Sequence, residues 1–190
     1  MTILRIFLFL GLVLHKVVWE VLKKPASRTT VSAPRPASGL KSLVKLVKIG
    51  VLLFLVVQTL FLDVFPISRD PQNLRVAGLI LYVAGLAIAI LGRVELGRNW
   101  ANLEDYQVLS GQALVQTGIY RFIRHPIYTG DILLILGLEL ALNSWLVLGV
   151  IFLIAFVVRQ TLAEEQILTR AFPDYAAYRK QTKMFIPYLV

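Results

Sequence analysis

The sequence contains no cysteine. That excludes a disulfide framework, thiolate metal sites and a cysteine nucleophile, and says nothing about compartment. Histidine is almost as scarce. His15 and His125 are the only two, too few for a histidine-based metal cluster, so no metal is expected. Charge is short as well: 16% of the 190 residues are Asp, Glu, Lys or Arg, against about a quarter in a soluble domain. The stretches Val76–Gly92 and Leu140–Val158 carry none at all. There is no P-loop, no dinucleotide-binding glycine motif, no zinc-binding helix motif and no internal repeat.

What is present is apolar surface. Hydrophobic residues make up 57% of the chain, gathered into blocks. A helix needs roughly 20 mostly apolar residues to cross about 30 Å of hydrocarbon. Several such blocks cannot all be buried inside a domain this small. The expectation is an all-α, polytopic integral membrane protein with about five transmembrane helices and a cytosolic helical tail, treated as one membrane domain over residues 1–190. The expected spans are Thr2–Leu22, Leu43–Phe65, Leu74–Leu96, Tyr128–Leu142 and Ser144–Gln160. The first resembles a signal peptide in length. Its apolar core is broken by His15 and Lys16, and Lys23 and Lys24 follow with no convincing cleavage site, so a retained span is expected. The fourth and fifth read as a tight hairpin turning at Asn143-Ser144. Lys23–Lys41, with Pro25, Pro34 and Pro36, reads as an extended connector, and Pro66–Pro71 as a short turn.

The formal charge is +9. The basic residues flank the spans, which points to topology and anionic headgroups rather than nucleic acid. Lys23, Lys24, Arg28, Arg35, Lys41, Lys45 and Lys48 surround the first connector. Arg69 and Arg75 flank the second loop, and Arg93, Arg98, Arg121 and Arg124 the third. The hairpin turn has none, and the tail holds Arg159, Arg170, Arg179, Lys180 and Lys183. This alternation places the amino terminus outside and the carboxyl terminus in the cytosol. Both polar stretches, Gly97–Arg124 and Thr161–Val190, then face the cytosol.

Three constellations carry the chemistry. The first is Gly118-Ile119-Tyr120-Arg121-Phe122-Ile123-Arg124-His125-Pro126-Ile127-Tyr128. Proline is tolerated in the first turn of a helix, so the fourth helix is expected to start near Pro126. Free N–H groups there favour an anion, and Arg124 adds a fork for a carboxylate. Equally, Arg121 and Arg124 are ordinary interfacial anchors and Tyr128 belongs to an aromatic belt. The second is Arg159, Glu164 and Glu165, which alone read as a solvated face. A hairpin, however, returns Glu164 and Glu165 to the level of Arg124 and His125. Opposite charges meeting there suit a zwitterion, with ammonium on Glu and carboxylate on Arg. The third is Phe172-Pro173-Asp174-Tyr175-Ala176-Ala177-Tyr178-Arg179, with Ile186-Pro187-Tyr188 beyond. Tyr175 and Tyr178 share a helix face, either as a membrane-surface helix or as an aromatic lid. Asp131 and Glu139 are costly against lipid, so inward placement is expected; Glu139 has the outer interface as a second possibility. Neither these two nor His15 and Glu20 are given a catalytic role.

Together with Leu96-Gly97-Arg98-Asn99-Trp100, Leu114–Tyr120 and Ile186-Pro187, these segments resemble the isoprenylcysteine carboxyl methyltransferase superfamily, which includes the phospholipid methyltransferases. The likeness covers roughly residues 90–190 and is closest to the compact prokaryotic members. Arg-His-Pro-x-Tyr is a weak motif alone. Followed by Glu-Glu and then Tyr-x-x-Tyr, it is specific. The resemblance implies S-adenosylmethionine as cofactor, a cytosol-facing pocket in residues 91–190, a prokaryotic inner-membrane location and a lipophilic acceptor entering from the bilayer. It implies that Tyr120, His125, Pro126, Tyr128, Glu164 and Glu165 hold the cofactor, with Tyr175 and Tyr178 closing over it. Arg124 and Glu165 are then the catalytic pair, Arg124 orienting a carboxylate. Residues 1–90 carry no matching motif. Two rivals remain: a membrane sterol or isoprenoid reductase using NADPH, and a non-catalytic lipid-binding membrane protein.

Overall fold

The computed structural model describes residues 1–22, 29–32, 38–99, 107–109 and 112–187. Lys23, Lys24, Arg28, Arg35, the three connector prolines, Trp100 and Tyr188 lie outside the described residues, as do the side chains of Lys41, Lys45, Lys48 and Arg98. Six helices follow in order: α1 (Thr2–Val21), α2 (Ser38–Phe61), α3 (Gln72–Leu96), α4 (Pro126–Ala141), α5 (Gly149–Ala171) and the short α6 (Tyr175–Gln181). To this helical architecture one antiparallel pair is added, β1 (Thr29–Ser32) with β2 (Gln107–Leu109).

Among the described residues, three helical segments are long and apolar enough to cross a membrane: Thr2–Val21, Gln72–Leu96 and Trp145–Ala171. Their outward side chains, among them Ile3, Ile80, Phe152 and Phe156, are exposed, as lipid-facing residues must be. This is a membrane protein. The five apolar stretches expected as spans fall on helices α1–α5 with shifted ends, three of them within segments long enough to cross. α2 stops at Phe61 rather than Phe65, and Phe65 itself takes a positive φ of 46°, outside helical geometry. α5 runs to Ala171 rather than Gln160. The polar residues beyond Gln160 are good helix formers, so Glu164 and Glu165 lie within the helix, not past it. Asn143 adopts φ 59° and Ser144 Oγ accepts from Leu146 N at 3.1 Å, which makes the α4–α5 turn.

The core is the antiparallel α3–α4 pair. Gly78, Gly85 and Gly92 recur every seven residues on α3, and Gly130 and Gly137 do so on α4. A Cβ on Gly78, Gly85, Gly130 or Gly137 would strike the backbone of the opposite helix at Ala141, Leu134, Ala89 or Tyr82 respectively. Membrane helices that lack a hydrophobic driving force associate through such close backbone approach. α1 lies on this pair through Gly11, against the Tyr82 ring, and Leu8, Tyr82, Leu134, Leu138, Ala141 and Leu142 form one buried cluster. The Tyr82 hydroxyl donates to the Leu8 carbonyl. Tyr82→Phe removes that bond and should cost about 1 kcal/mol, read as a melting temperature lower by about 2–4 °C; an unchanged midpoint would show the bond contributes nothing.

Several polar side chains inside the bundle are paired across helices. Buried Arg5 donates to the carbonyls of Gln58 (3.0 Å), Thr59 (3.1 Å) and Leu62 (3.0 Å) and pairs with Asp63 at 2.7 Å, neutralising the open carbonyl end of α2. Glu139 turns inward and accepts from Gln58 Nε2 at 2.8 Å. Asp131 faces α1, where His15 Nε2 lies 2.9 Å away.

Candidate functional site

The site begins where α3 ends. Gly118 takes φ +56°, and a Cβ there would collide with the Glu95 carboxylate, so the position requires glycine. Glu95 Oε2 accepts from Ile119 N at 2.7 Å. This fixes the helical turn Gly118–Arg121 and drops Tyr120 into the interior, its hydroxyl 3.2 Å from the Gly92 carbonyl. Pro126 then opens α4 with His125 as its N-cap, and a missing N–H at that position costs nothing. Just before the helix the backbone is tied to the tail: Arg124 N donates to the Lys183 carbonyl (2.8 Å) and His125 N to that of Met184 (3.1 Å). Ile123 forms a parallel bridge with Lys183, and Thr129 Oγ1 donates to the Phe185 carbonyl at 3.0 Å. The tail is thus stitched to the start of α4.

Glu165 is the centre of charge. Its side chain is 3% exposed, beside Arg124 at 7% and His125 at 5%. Arg124 Nε donates to Glu165 Oε1 at 2.7 Å, and His125 Nε2 lies 3.2 Å from the same oxygen. A carboxylate only accepts, so Nε2 carries the proton. Arg179 Nε stands 3.4 Å from Oε2, in ion-pair range but outside hydrogen-bond geometry. Arg124 Nη1 donates to the carbonyls of Arg179 (3.3 Å) and Thr182. Glu164, a third exposed, accepts from the Tyr128 hydroxyl at 3.0 Å and sits 4.0 Å from His125 Nδ1. The His125 ring stacks on Tyr128 (5.6 Å, 12°) and tilts against Phe185 (6.2 Å).

α6 covers this group. Tyr175 and Tyr178 are buried and meet edge to face at 5.9 Å. The Tyr178 hydroxyl donates to the Tyr120 carbonyl at 2.6 Å. Burial pushes the Tyr178 phenol up to about 12, with Arg124 pulling against it. Burial and neighbouring carboxylates likewise raise Tyr120 and Tyr175 above the ordinary phenol range. These hydroxyls therefore stay protonated, and those of Tyr120 and Tyr178 act as donors. Of the six buried side-chain polar atoms that find no hydrogen-bond partner among the described residues, three lie here: Glu165 Oε2, Tyr175 Oη and Thr161 Oγ1. Thr161 lies one turn before Glu165 on the same face of α5. Buried polar groups are almost always satisfied, so three orphans in one place mark a site built for a polar ligand.

The structure brings together Tyr120, Arg124, His125, Pro126, Tyr128, Glu164, Glu165, Tyr175 and Tyr178. Arg159 joins none of these pairs. The sequence reading missed Arg179 as a second guanidinium on Glu165, Glu95 as the brace of the turn, and the backbone of residues 182–185. Arg179 was findable, since it stands four residues after Tyr175 and so on its face. Backbone carbonyls carry no sequence signal. Among the described residues, no three His, Cys, Asp or Glu side chains are grouped as metal ligands would be.

Comparison with known proteins gives the context. Residues 74–175 match the family described as phospholipid methyltransferase. The cobalt-zinc-cadmium resistance protein CzcN of Cupriavidus metallidurans is 34% identical over 119 residues, 58% of this chain and 50% of that protein. The protein-S-isoprenylcysteine O-methyltransferase of Saccharomyces cerevisiae is 27% identical over 131 residues, 67% of this chain and 55% of that protein. The chain thus spans about half the length of these curated relatives. Among solved structures, the eukaryotic intramembrane Ras methyltransferase, an isoprenylcysteine carboxyl methyltransferase, shares the fold, with a TM-score of 0.54 at 20% identity. That match covers 81% of this chain and 55% of the other.

Proposed function

Because the chain belongs to the phospholipid methyltransferase family, within the superfamily that includes the isoprenylcysteine carboxyl methyltransferases, we propose that it transfers a methyl group from S-adenosylmethionine to a lipophilic acceptor, a prenylcysteine-like carboxylate or another lipid. The observation that carries this is the buried Glu165 Oε2, which accepts no hydrogen bond from the described residues, beside two further orphaned hydroxyls. The donor set fits the methionine end of the cofactor. Glu165 Oε2 takes the ammonium, with Glu164 adding negative charge. Arg124 Nη2, which bonds to none of the described residues, is left for the carboxylate. The rings of Tyr120, Tyr128, Tyr175 and Tyr178 supply the π faces that attract a sulfonium, and His125 holds Glu165 in place. When bound, the cofactor supplies an electrophilic methyl group; the protein supplies position and field.

Residues 182–185 and α6 keep water from the site and hold it rigid. Holding two reactants in attack geometry lowers a barrier by about 7–11 kcal/mol, and a carboxylate acceptor would need no base. By the loop charges, the site faces the cytosol, where the cofactor is made, and the acceptor comes from the bilayer. A carboxyl-terminal cytosolic end and a prokaryotic inner membrane belong to this proposal.

Calorimetry of the purified protein with S-adenosylmethionine and with NADPH tests the reading, followed by mass spectrometry of a native lipid extract incubated with methyl-labelled cofactor. Binding of the first nucleotide alone, with label appearing in a lipid, is expected. Binding of NADPH would support a reductase, and binding of neither a lipid-binding protein. His125→Ala should weaken cofactor binding about ten- to hundredfold, the loss expected for a hydrogen bond to a charged group. Unchanged affinity would remove His125 from the site.

A further inference from the structure

The groups of the site described so far are given over to the cofactor. Three of its phenols donate to the Gly92 and Tyr120 carbonyls and to Glu164, and Glu165 accepts from both Arg124 and His125. A second titratable pair lies just deeper. Asp131 follows Tyr128 by three residues on α4, so their side chains are neighbours, with Asp131 about 4.5 Å further into the bundle. Asp131 Oδ1 and His15 Nε2 are 2.9 Å apart. The pair is open, with 24% of the His15 side chain and 38% of the Asp131 side chain accessible. Trp19 lies flat on the imidazole, ring centres 4.0 Å apart at 20°. α1 is anchored in register with the site, because Arg93 Nη2 donates to the Leu22 carbonyl at 2.6 Å.

Ionisable groups at membrane depth are costly and mark functional sites. Since the carboxylate accepts from Nε2–H, the acceptor nitrogen is Nδ1, which bonds to none of the described residues. Resting on the methyltransferase reading, we propose that His15, Asp131 and Trp19 form the acceptor subsite, that its ligand is a lipophilic phenol, and that His15 Nδ1 takes the hydroxyl proton. Trp19 offers the aromatic plane on which the phenol ring stacks. The phenol O–H bond breaks and its proton goes to Nδ1. The oxygen pair forms the bond to the methyl carbon, and the carbon–sulfur pair returns to sulfur, which loses its positive charge. The imidazolium formed is held by Asp131, in the arrangement that a general base with an orienting carboxylate uses.

The chain has only two histidines, so the test is direct. The full-length protein, 15N-labelled at histidine, is placed in phosphatidylcholine–phosphatidylglycerol nanodiscs without cofactor, and His15→Gln assigns the two imidazoles. Addition of 4-dodecylphenol should move the His15 Nδ1 resonance and leave His125 unmoved. With cofactor present, His15→Gln and Asp131→Asn should lower kcat for 4-dodecylphenol by about 10²–10⁴-fold, while calorimetric cofactor affinity stays within about twofold. An unmoved Nδ1 resonance, or variants transferring at the wild-type rate, overturns the proposal alone. So does wild-type transfer to dodecanoate or dodecylamine with none to the phenol. Failure of the wild-type protein to bind the cofactor overturns the parent reading and this one with it.

Discussion

Glu165→Gln is expected to lose both cofactor binding and stability. The carboxylate is shared by Arg124 and His125 through Oε1 and faces Arg179 through Oε2. Glutamine keeps the shape and removes the charge, leaving the Arg124 guanidinium buried with its counter-ion gone. Breaking a buried pair from one side costs about 3–5 kcal/mol. For a chain of this size that lowers the melting temperature by about 6–20 °C. Cofactor affinity should fall at least about a hundredfold, because the ammonium loses its charged acceptor. Glu164→Gln is the internal control. Its carboxylate is a third exposed and holds only the Tyr128 hydroxyl and the edge of His125, so its loss should cost about 1 kcal/mol. Thermal unfolding and calorimetry of both variants separate the effects. Destabilised Glu165→Gln protein with undiminished affinity would make Glu165 a structural anchor and nothing more.

Gly137→Leu is expected to break the bundle itself. A Cβ at Gly137 would strike the Tyr82 amide and the Gly78 carbonyl, and neither is the end of a flexible side chain. α3 and α4 would have to separate, and Tyr82 would lose its place against Leu8. Overpacking usually costs about 1–3 kcal/mol, and a backbone collision belongs at the top of that range, about 6–12 °C in melting temperature. Gly50→Leu is the matching control. Nothing lies within 4 Å of a Cβ there, so the same substitution should leave the midpoint unmoved. Equal melting temperatures for the two variants would show that the α3–α4 contact is looser than described.

Much of this was legible because membranes simplify structure. Long apolar blocks can only be helices, and Pro126 and Asn143-Ser144 mark the start of α4 and its turn by their own backbone preferences. A hairpin of known rise returns the Glu pair to the Arg-His corner, which is how Glu165 reaches His125. The helix ends were harder. Arg159 and Gln160 resemble an interface in composition, yet α5 continues through Glu164 and Glu165 because nothing there disfavours a helix. Arg124 showed the deeper difficulty. Its charge suggested a fork open to a ligand, whereas two of its nitrogens serve Glu165 and the carbonyls of Arg179 and Thr182. Every residue type has the same carbonyl, so no sequence pattern announces such partners. The inward placement of Glu139, by contrast, needed Gln58 from α2, a partner 81 residues away.

The bridge between Ile123 and Lys183 also sets an order of events during synthesis. Arg124 and His125 enter the bilayer interface with α4, long before the ribosome has released residues 182–185, whose carbonyls complete their bonding. Until then the guanidinium has no tail to close upon. A chain made only as far as α5 therefore carries Arg124 and His125 without the carbonyl partners that residues 182–184 supply.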